Sequence, residues 1–231
     1  MRLFCSSNQE FLESSLEPVR MVLSDPPWGA GVQNKGTPYV FEDPPEMRDE
    51  IINRLVGYSV RCAKVALVAC DDRWLPDWHI AFRANGWTSS TIVCESALGN
   101  PGKKRWPIKH YYWVAAHAGE YPEVFNVEAL PLEERRARLG SGEVKRVAGV
   151  IRTTMSNTDP ERVIGWQAQK PVWLLESFIE AYTQPGETVC DPFTGTGSTG
   201  IAAHQKGREF IGYEQNEQSF QMAWERLSAI R

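Results

Sequence analysis

Apolar positions fall into short unbroken runs, separated by longer stretches where they recur every three or four residues. Val19-Arg20-Met21-Val22-Leu23-Ser24 and Val65-Ala66-Leu67-Val68-Ala69-Cys70 are runs of the first kind. Their length and near-continuous apolarity predict strands buried on both faces of a parallel sheet. Residues 188–190 and 209–213 predict two more strands, and 88–94 and 110–116 a further two. Residues 3–12 begin as strand and become helix-like. Met47, Ile51, Leu55, Val56 and Val60 recur at helical spacing within 44–63, with proline at the start. Residues 78–84 predict another helix, stopped by Asn85-Gly86. Val172, Leu175, Phe178, Ile179 and Tyr182 mark a core-facing helix. Phe220, Ala223, Trp224, Leu227 and Ile230 mark a last one over 216–230. Strands alternating with helices predict an α/β fold, a mostly parallel sheet with helices on both faces.

Residues 119–164 break this rhythm. Within them, 132–139 carries Glu133, Glu134, Arg135, Arg136 and Arg138, and predicts one exposed helix. Residues 143–152 alternate like a strand and carry Lys145, Arg146 and Arg152. The chain therefore reads as one domain in two parts, 1–118 and 165–231, around a small insert at 119–164. Its 231 residues, 42% of them hydrophobic, suit one large domain with an insertion. No apolar run approaches the roughly 20 residues of a membrane span. Residues 1–5 are too short and mixed for a signal peptide.

The five cysteines are scattered without a C-x-x-C pair, mostly in strand-like settings. That predicts buried thiols in a reducing cytoplasm. The four histidines have no ligand spacing, so no metal is expected. A net charge of −4 argues against a nonspecific nucleic-acid coat, but it allows a local basic face.

The chemistry gathers at two strand ends. After 188–190 comes Asp191-Pro192-Phe193-Thr194-Gly195-Thr196-Gly197-Ser198-Thr199. This reads as strand, glycine loop and helix, with Ser198 as the helix cap. Glycines there let a backbone approach a ligand closely, although any tight βα turn also uses them. Glu214 ends the next strand, about 20 residues on, where an acid suits paired ribose hydroxyls. At the other strand end stands Asp25-Pro26-Pro27-Trp28. Its carboxylate and proline-held carbonyls could accept the two hydrogens of an amine, and Trp28 offers a face for stacking. A strand end with turn residues is the bland alternative. Asp71-Asp72 ends a third strand, as helix caps or as ligand contacts.

Basic residues supply candidate nucleic-acid contacts. Lys35 lies in the glycine-rich stretch 29–41, facing a phosphate or only solvent. Residues 95–109 carry Lys103, Lys104, Arg105 and Trp106, as a DNA grip or a solvated hairpin.

Three features together resemble a known family: the loop at 191–199, Gln169-Lys170-Pro171, and Asp25-Pro26-Pro27-Trp28. They resemble the amino-methyltransferases, which methylate exocyclic amines of DNA bases with S-adenosylmethionine. In that family D-P-F-x-G-x-G-x-T is the cofactor motif and D-P-P-[YWF] the catalytic one. Here the catalytic motif comes first, which resembles the circularly permuted β-type order. The resemblance implies a Rossmann-like fold with an antiparallel edge strand.

It also implies cofactor contacts from Asp191, Pro192, Phe193, Gly195, Gly197, Ser198, Thr199 and Glu214. Gln169 and Lys170 would meet the methionyl carboxylate. Asp25, Pro26, Pro27 and Trp28 would be catalytic. Double-stranded DNA with a flipped base would be the partner, in a setting such as restriction-modification. Lys35, Lys103, Lys104, Arg105, Lys145 and Arg146 would touch DNA, and 119–164 would read the target. Homodimers are frequent in the family.

Two departures stand out. Cys5-Ser6-Ser7-Asn8 replaces the usual Gly-Asp near the cofactor adenine, and Trp166-Gln167 replaces His-Pro. Adenine N6 is the expected target, because members acting on cytosine N4 more often carry serine at the position of Asp25. The alternatives are cytosine N4, an RNA adenine, and a noncatalytic nucleic-acid-binding homologue.

Overall fold

The computed structural model describes residues 1–28, 47–100, 108–131, 135–138, 144–147, 151–153, 163 and 169–230. Strand β1 (Arg2–Cys5) leads into helix α1 (Asn8–Ser14), whose cap Ser7 accepts from Gln9 N at 3.2 Å. There follow β2 (Met21–Ser24), α2 (Arg48–Cys62), β3 (Val65–Cys70) and α3 (Leu75–Ala84). Next come β4 (Trp87–Asn100), β5 (Ile108–Ala118), β6 (Arg135–Arg138), β7 (Val144–Val147) and β8 (Ile151–Thr153). The chain continues with α4 (Val172–Tyr182), β9 (Thr188–Asp191), α5 (Ser198–Gln205), β10 (Glu209–Glu214) and α6 (Glu217–Ser228).

The main sheet runs β1-β10-β9-β2-β3-β5-β4-β8. Every neighbouring pair is parallel except the two made by β5, with β3 and with β4. The antiparallel strand is therefore not outermost, as the sheet continues past it through β4 to β8.

Alternation along the central strands builds two cores. Val22, Ala66, Val68 and Cys70 point to one face and pack with Ile51, Leu55 and Tyr58 of α2 and Trp78 and Phe82 of α3. Met21, Leu23, Val65, Leu67 and Ala69 point to the other, against Leu175, Phe178 and Ile179 of α4 and Ala202 of α5. Both faces are apolar because both are covered, which is why these strands read as unbroken runs.

One expectation for 119–164 changes. The described part of the predicted helix, Arg135–Arg138, is a strand that pairs antiparallel with β7. Arg135-Arg136-Ala137-Arg138 has no apolar stripe to hold a helix on a core, so the ladder with β7 decides its conformation. The segment is tied to the rest of the domain. β8 pairs with β4, Glu123 bonds Arg20 at 2.7 Å, and Asn126 N donates to Ala181 O at 2.8 Å.

The site lies where the sheet changes direction. From β9 the chain proceeds through α5 to β10 on one side, and from β2 through α2 to β3 on the other. β2 and β9 are neighbours, joined at Met21↔Val189 and Val22↔Cys190. Beyond Val22 and Cys190 their ends carry the two motifs. Such a switch point opens a crevice at the carboxyl ends of the strands, the usual ligand position in open α/β sheets.

Candidate active site

Asp191 ends β9, and its side chain points inward, with the residue 2% exposed. One carboxylate oxygen accepts from Ser24 Oγ at 2.7 Å and Phe193 N at 3.0 Å; the other accepts from Thr199 Oγ1 at 2.6 Å. Burial pushes this carboxyl up to about 6, against the downward pull of the Thr199, Ser24 and Phe193 hydrogen bonds. Asp191 thus ties the last residue of β2 to the loop and to α5. Ser24, 1% exposed, is a buried partner of Asp191 that motif reading passed over. Its signal was a hydroxyl at the end of an otherwise apolar run.

The loop is held from three further sides. Pro192 O accepts from Asn8 Nδ2 at 3.1 Å, and Arg226 of α6 donates to the Thr196 hydroxyl at 3.1 Å. Gly195 N donates to Glu214 Oε2 at 2.9 Å. Gly195 and Gly197 have φ of +55° and +86°, the left-handed region that disfavours other residues. A Cβ on Gly197 would also lie 3.2 Å from Ala223, so the close approach that position serves is to α6. Gly197 is the cap of α5, and the expected cap, Ser198, is its first residue. The left-handed backbone puts glycine rather than serine at that junction. Phe193 is half-buried beside the α1–α2 core.

Glu214 closes this half of the site. Its second oxygen accepts from Asn216 N at 2.8 Å. Burial raises its carboxyl, and the Asn216 and Gly195 N–H groups pull it down again. An ionised carboxylate has about four lone-pair positions, so it accommodates hydroxyl donors besides these two N–H groups.

Across the crevice, Asp25 follows β2. Pro26 is buried, while Pro27 and Trp28 are half-buried. Asp25 Oδ2 is ion-paired with Lys170 Nζ. That ammonium lies 4.9 Å from the Trp28 ring centroid and 5.3 Å from that of Tyr111, on β5. Gln169 Oε1 accepts from Val163 N at 2.8 Å. Lys170, expected to meet the cofactor, is ion-paired with Asp25. Tyr111 carried no signal in its own segment, because only the β3–β5 pairing brings it here. Asp71 takes Arg73 N at 3.0 Å and Arg73 Nε at 2.7 Å, so its carboxylate organises the turn into α3.

Lys35, Lys103, Lys104 and Arg105 lie outside the described residues. Lys145 and Arg146 lie on β7, remote in sequence from both motifs. Among the described residues no cluster of His, Cys, Asp and Glu could hold a metal ion. No helix among them is long and apolar enough to cross a membrane.

A family model for N6/N4 methyltransferases, described as DNA methylase, matches residues 19–225. The chain belongs to the N6/N4 DNA methylase family. The matched span takes in both motifs and all the strands between them. The family uses S-adenosylmethionine.

The chain is similar to the type II methyltransferase M2.DpnII of Streptococcus pneumoniae, 44% identical over 61 residues, 26% of this chain and 23% of that one. It is also similar to M.HindIII of Haemophilus influenzae, 43% identical over 60 residues, 26% and 19% of the two chains. The matches span about a third or less of the length of these curated relatives. In fold it resembles M1.HpyAVI, solved with SAM, at TM-score 0.71 and 19% identity, over 98% of both chains. It likewise resembles the PvuII cytosine-N4-specific DNA methyltransferase at TM-score 0.69 and 14% identity, over 99% of this chain and 90% of that one. At such identities these two likenesses establish the Rossmann-like fold alone.

The site fits the family's cofactor on its own chemistry. Glu214 offers acceptors for a diol beside a glycine loop.

Proposed function

We propose that this protein moves a methyl group from S-adenosylmethionine to the exocyclic N6 of an adenine flipped out of double-stranded DNA. The observation that carries the reading is the pairing of β2 with β9. It brings the strand that Asp25 follows beside the strand that leads into the glycine loop, and that loop is bonded to Glu214.

An exocyclic base amine is a poor nucleophile, because its lone pair is delocalised into the ring. The Asp25 carboxylate and the carbonyl of Pro26 accept its two hydrogens and draw the nitrogen toward a tetrahedral form. Two prolines fix that carbonyl before the base arrives, so little ordering remains for the reaction itself. Trp28 stacks the extruded base. When bound, S-adenosylmethionine supplies an electrophilic methyl on its sulfonium. The amine nitrogen would take that methyl and give up one of its two protons to the Asp25 carboxylate that already accepts it, and through it to solvent. Glu214 holds the ribose hydroxyls. Lys35, Lys103, Lys104, Arg105, Lys145 and Arg146 neutralise phosphates.

Adenine is favoured over cytosine by aspartate in D-P-P-W. Digesting modified plasmid DNA to nucleosides for mass spectrometry is expected to yield N6-methyladenine. N4-methylcytosine alone would overturn the base assignment and leave the fold and the crevice standing.

Cofactor binding has its own test. Glu214→Ala is expected to weaken cofactor affinity by roughly 1.5–3 kcal/mol, the range for hydrogen bonds to a charged group. Calorimetry without DNA reads this directly, and unchanged affinity would remove Glu214 from the pocket. Because burial raises the Glu214 carboxyl, affinity should fall on acidification sooner than for an exposed glutamate.

A further inference from the structure

We propose that Lys170 is a specificity-determining residue that reads the ring nitrogen beside the target amine; this rests on the methyltransferase reading above. Its side chain is 12% exposed and that of Asp25 23%. An ammonium taken out of water is costly unless a counter-charge or ring face replaces its hydration. Here Asp25 supplies the charge, and Trp28 and Tyr111 supply the faces, with their centroids 6.3 Å apart. The cation is built into the wall beside Asp25, where the amine must dock.

The pair then has a hydrogen-bonding pattern of its own. An ionised carboxylate only accepts, and an ammonium only donates, through three N–H groups. Side by side they present acceptor next to donor. An exocyclic amine next to an unprotonated ring nitrogen presents the complement, donor next to acceptor. Adenine has that edge at N6 with N1, and again at N6 with N7. Cytosine has it at N4 with N3. Thymine and guanine present the reverse at O4 with N3–H and at O6 with N1–H. Those edges would set oxygen against Asp25 and N–H against Lys170. Asp25 and Lys170 together admit the amine-with-ring-nitrogen edges of adenine and cytosine, and turn away thymine and the O6–N1 edge of guanine. A lysine reserved for the cofactor carboxylate would need neither the ring faces nor Asp25.

The test uses the full chain and a duplex in which the wild-type site has been mapped by its own methylation. The target adenine is replaced by 1-deazaadenine or 7-deazaadenine, each lacking one ring nitrogen. Transfer of labelled methyl is followed as kcat/KM. For the wild type, one of the two analogues is expected to fall roughly 10- to 100-fold below adenine, the worth of a hydrogen bond to a charged group. Lys170→Met should reduce this preference to less than about threefold, whereas Lys170→Gln, which keeps an N–H donor, should retain part of it. Calorimetry without DNA should show cofactor affinity changed less than about threefold in Lys170→Met, which also reports that the variant is folded.

Equal rates on adenine and both analogues would overturn the proposal. So would a preference that survives in Lys170→Met. A loss of cofactor affinity of about tenfold or more would assign Lys170 to the cofactor instead. Absence of transfer to any DNA by the wild type would overturn the methyltransferase reading itself, and this inference with it.

Discussion

Asp25→Ala is expected to lower kcat by roughly 100- to 1000-fold, the usual loss when a preorganised transition-state contact is removed. Cofactor affinity should stay near wild type, because Glu214 and the glycine loop lie across the crevice. The reason is differential binding. In the ground state the amine is planar and its hydrogens bond weakly. In the transition state the nitrogen becomes tetrahedral and carries positive charge, and the acceptor at Asp25 then counts most. The loss should therefore fall on kcat more than on KM. Asp25→Asn separates charge from shape, because the amide keeps an accepting oxygen beside the incoming amine. It should retain more activity than Asp25→Ala. Near-wild-type methylation by the alanine variant would mean that another residue polarises the amine.

Asp191→Ala should be the most destabilising change in the site. It strands the Ser24 hydroxyl, the Thr199 hydroxyl and the Phe193 N–H in a region closed to water. Each buried group left without a partner costs about 1–3 kcal/mol. A combined loss of about 3–5 kcal/mol would lower Tm by roughly 6–20 °C in a chain of this size. Asp191→Asn keeps acceptors for Ser24 and Phe193 and should lose much less.

The two variants also differ with pH. Burial raises the folded carboxyl from an ordinary 3.8 to about 6, so the fold binds its proton more tightly than the unfolded chain does. The stability this gives is fully present below about pH 4 and is lost as pH rises through about 6. Asp191→Asn removes that slope. Thermal melts of the wild type and Asp191→Asn should therefore diverge between pH 4 and pH 7, by an amount on the order of 2–3 kcal/mol. Parallel melts across that interval would show that Asp191 stays ionised throughout.

The alternation of buried strands and amphipathic helices was legible because both faces of the sheet are covered. Val65–Cys70 could be little else. The two motifs were legible because each is a contiguous run at a strand end. What escaped was everything set by pairing across the sequence. Tyr111 reaches the site through the register of β5 on β3, and Arg226 reaches the loop from a helix 28 residues beyond Ser198. The ion pair of Lys170 with Asp25 joins residues 145 positions apart and had no local signal either. Arg135–Arg138 looked helical because its charges fit an exposed helix, but its extended form comes from β7. Local pattern cannot report a partner that lies elsewhere in the chain.

The position of β1 has a consequence for how the protein is made. Its sheet partner among the described strands is β10, with Leu3 opposite Gly212. The catalytic strand β2 likewise waits for β9, more than 160 residues later. During synthesis β1 leaves the ribosome long before residues 209–214, its partner among the described strands, have followed it. β2 and β3 can pair early, but the catalytic and cofactor halves join only when translation of this segment is nearly finished. Folding of this segment therefore ends with long-range closure, which is slow and leaves strand edges open in the meantime. Nascent chains cut before β9 should hold Asp25 on a strand that lacks its neighbour, with the crevice not yet formed.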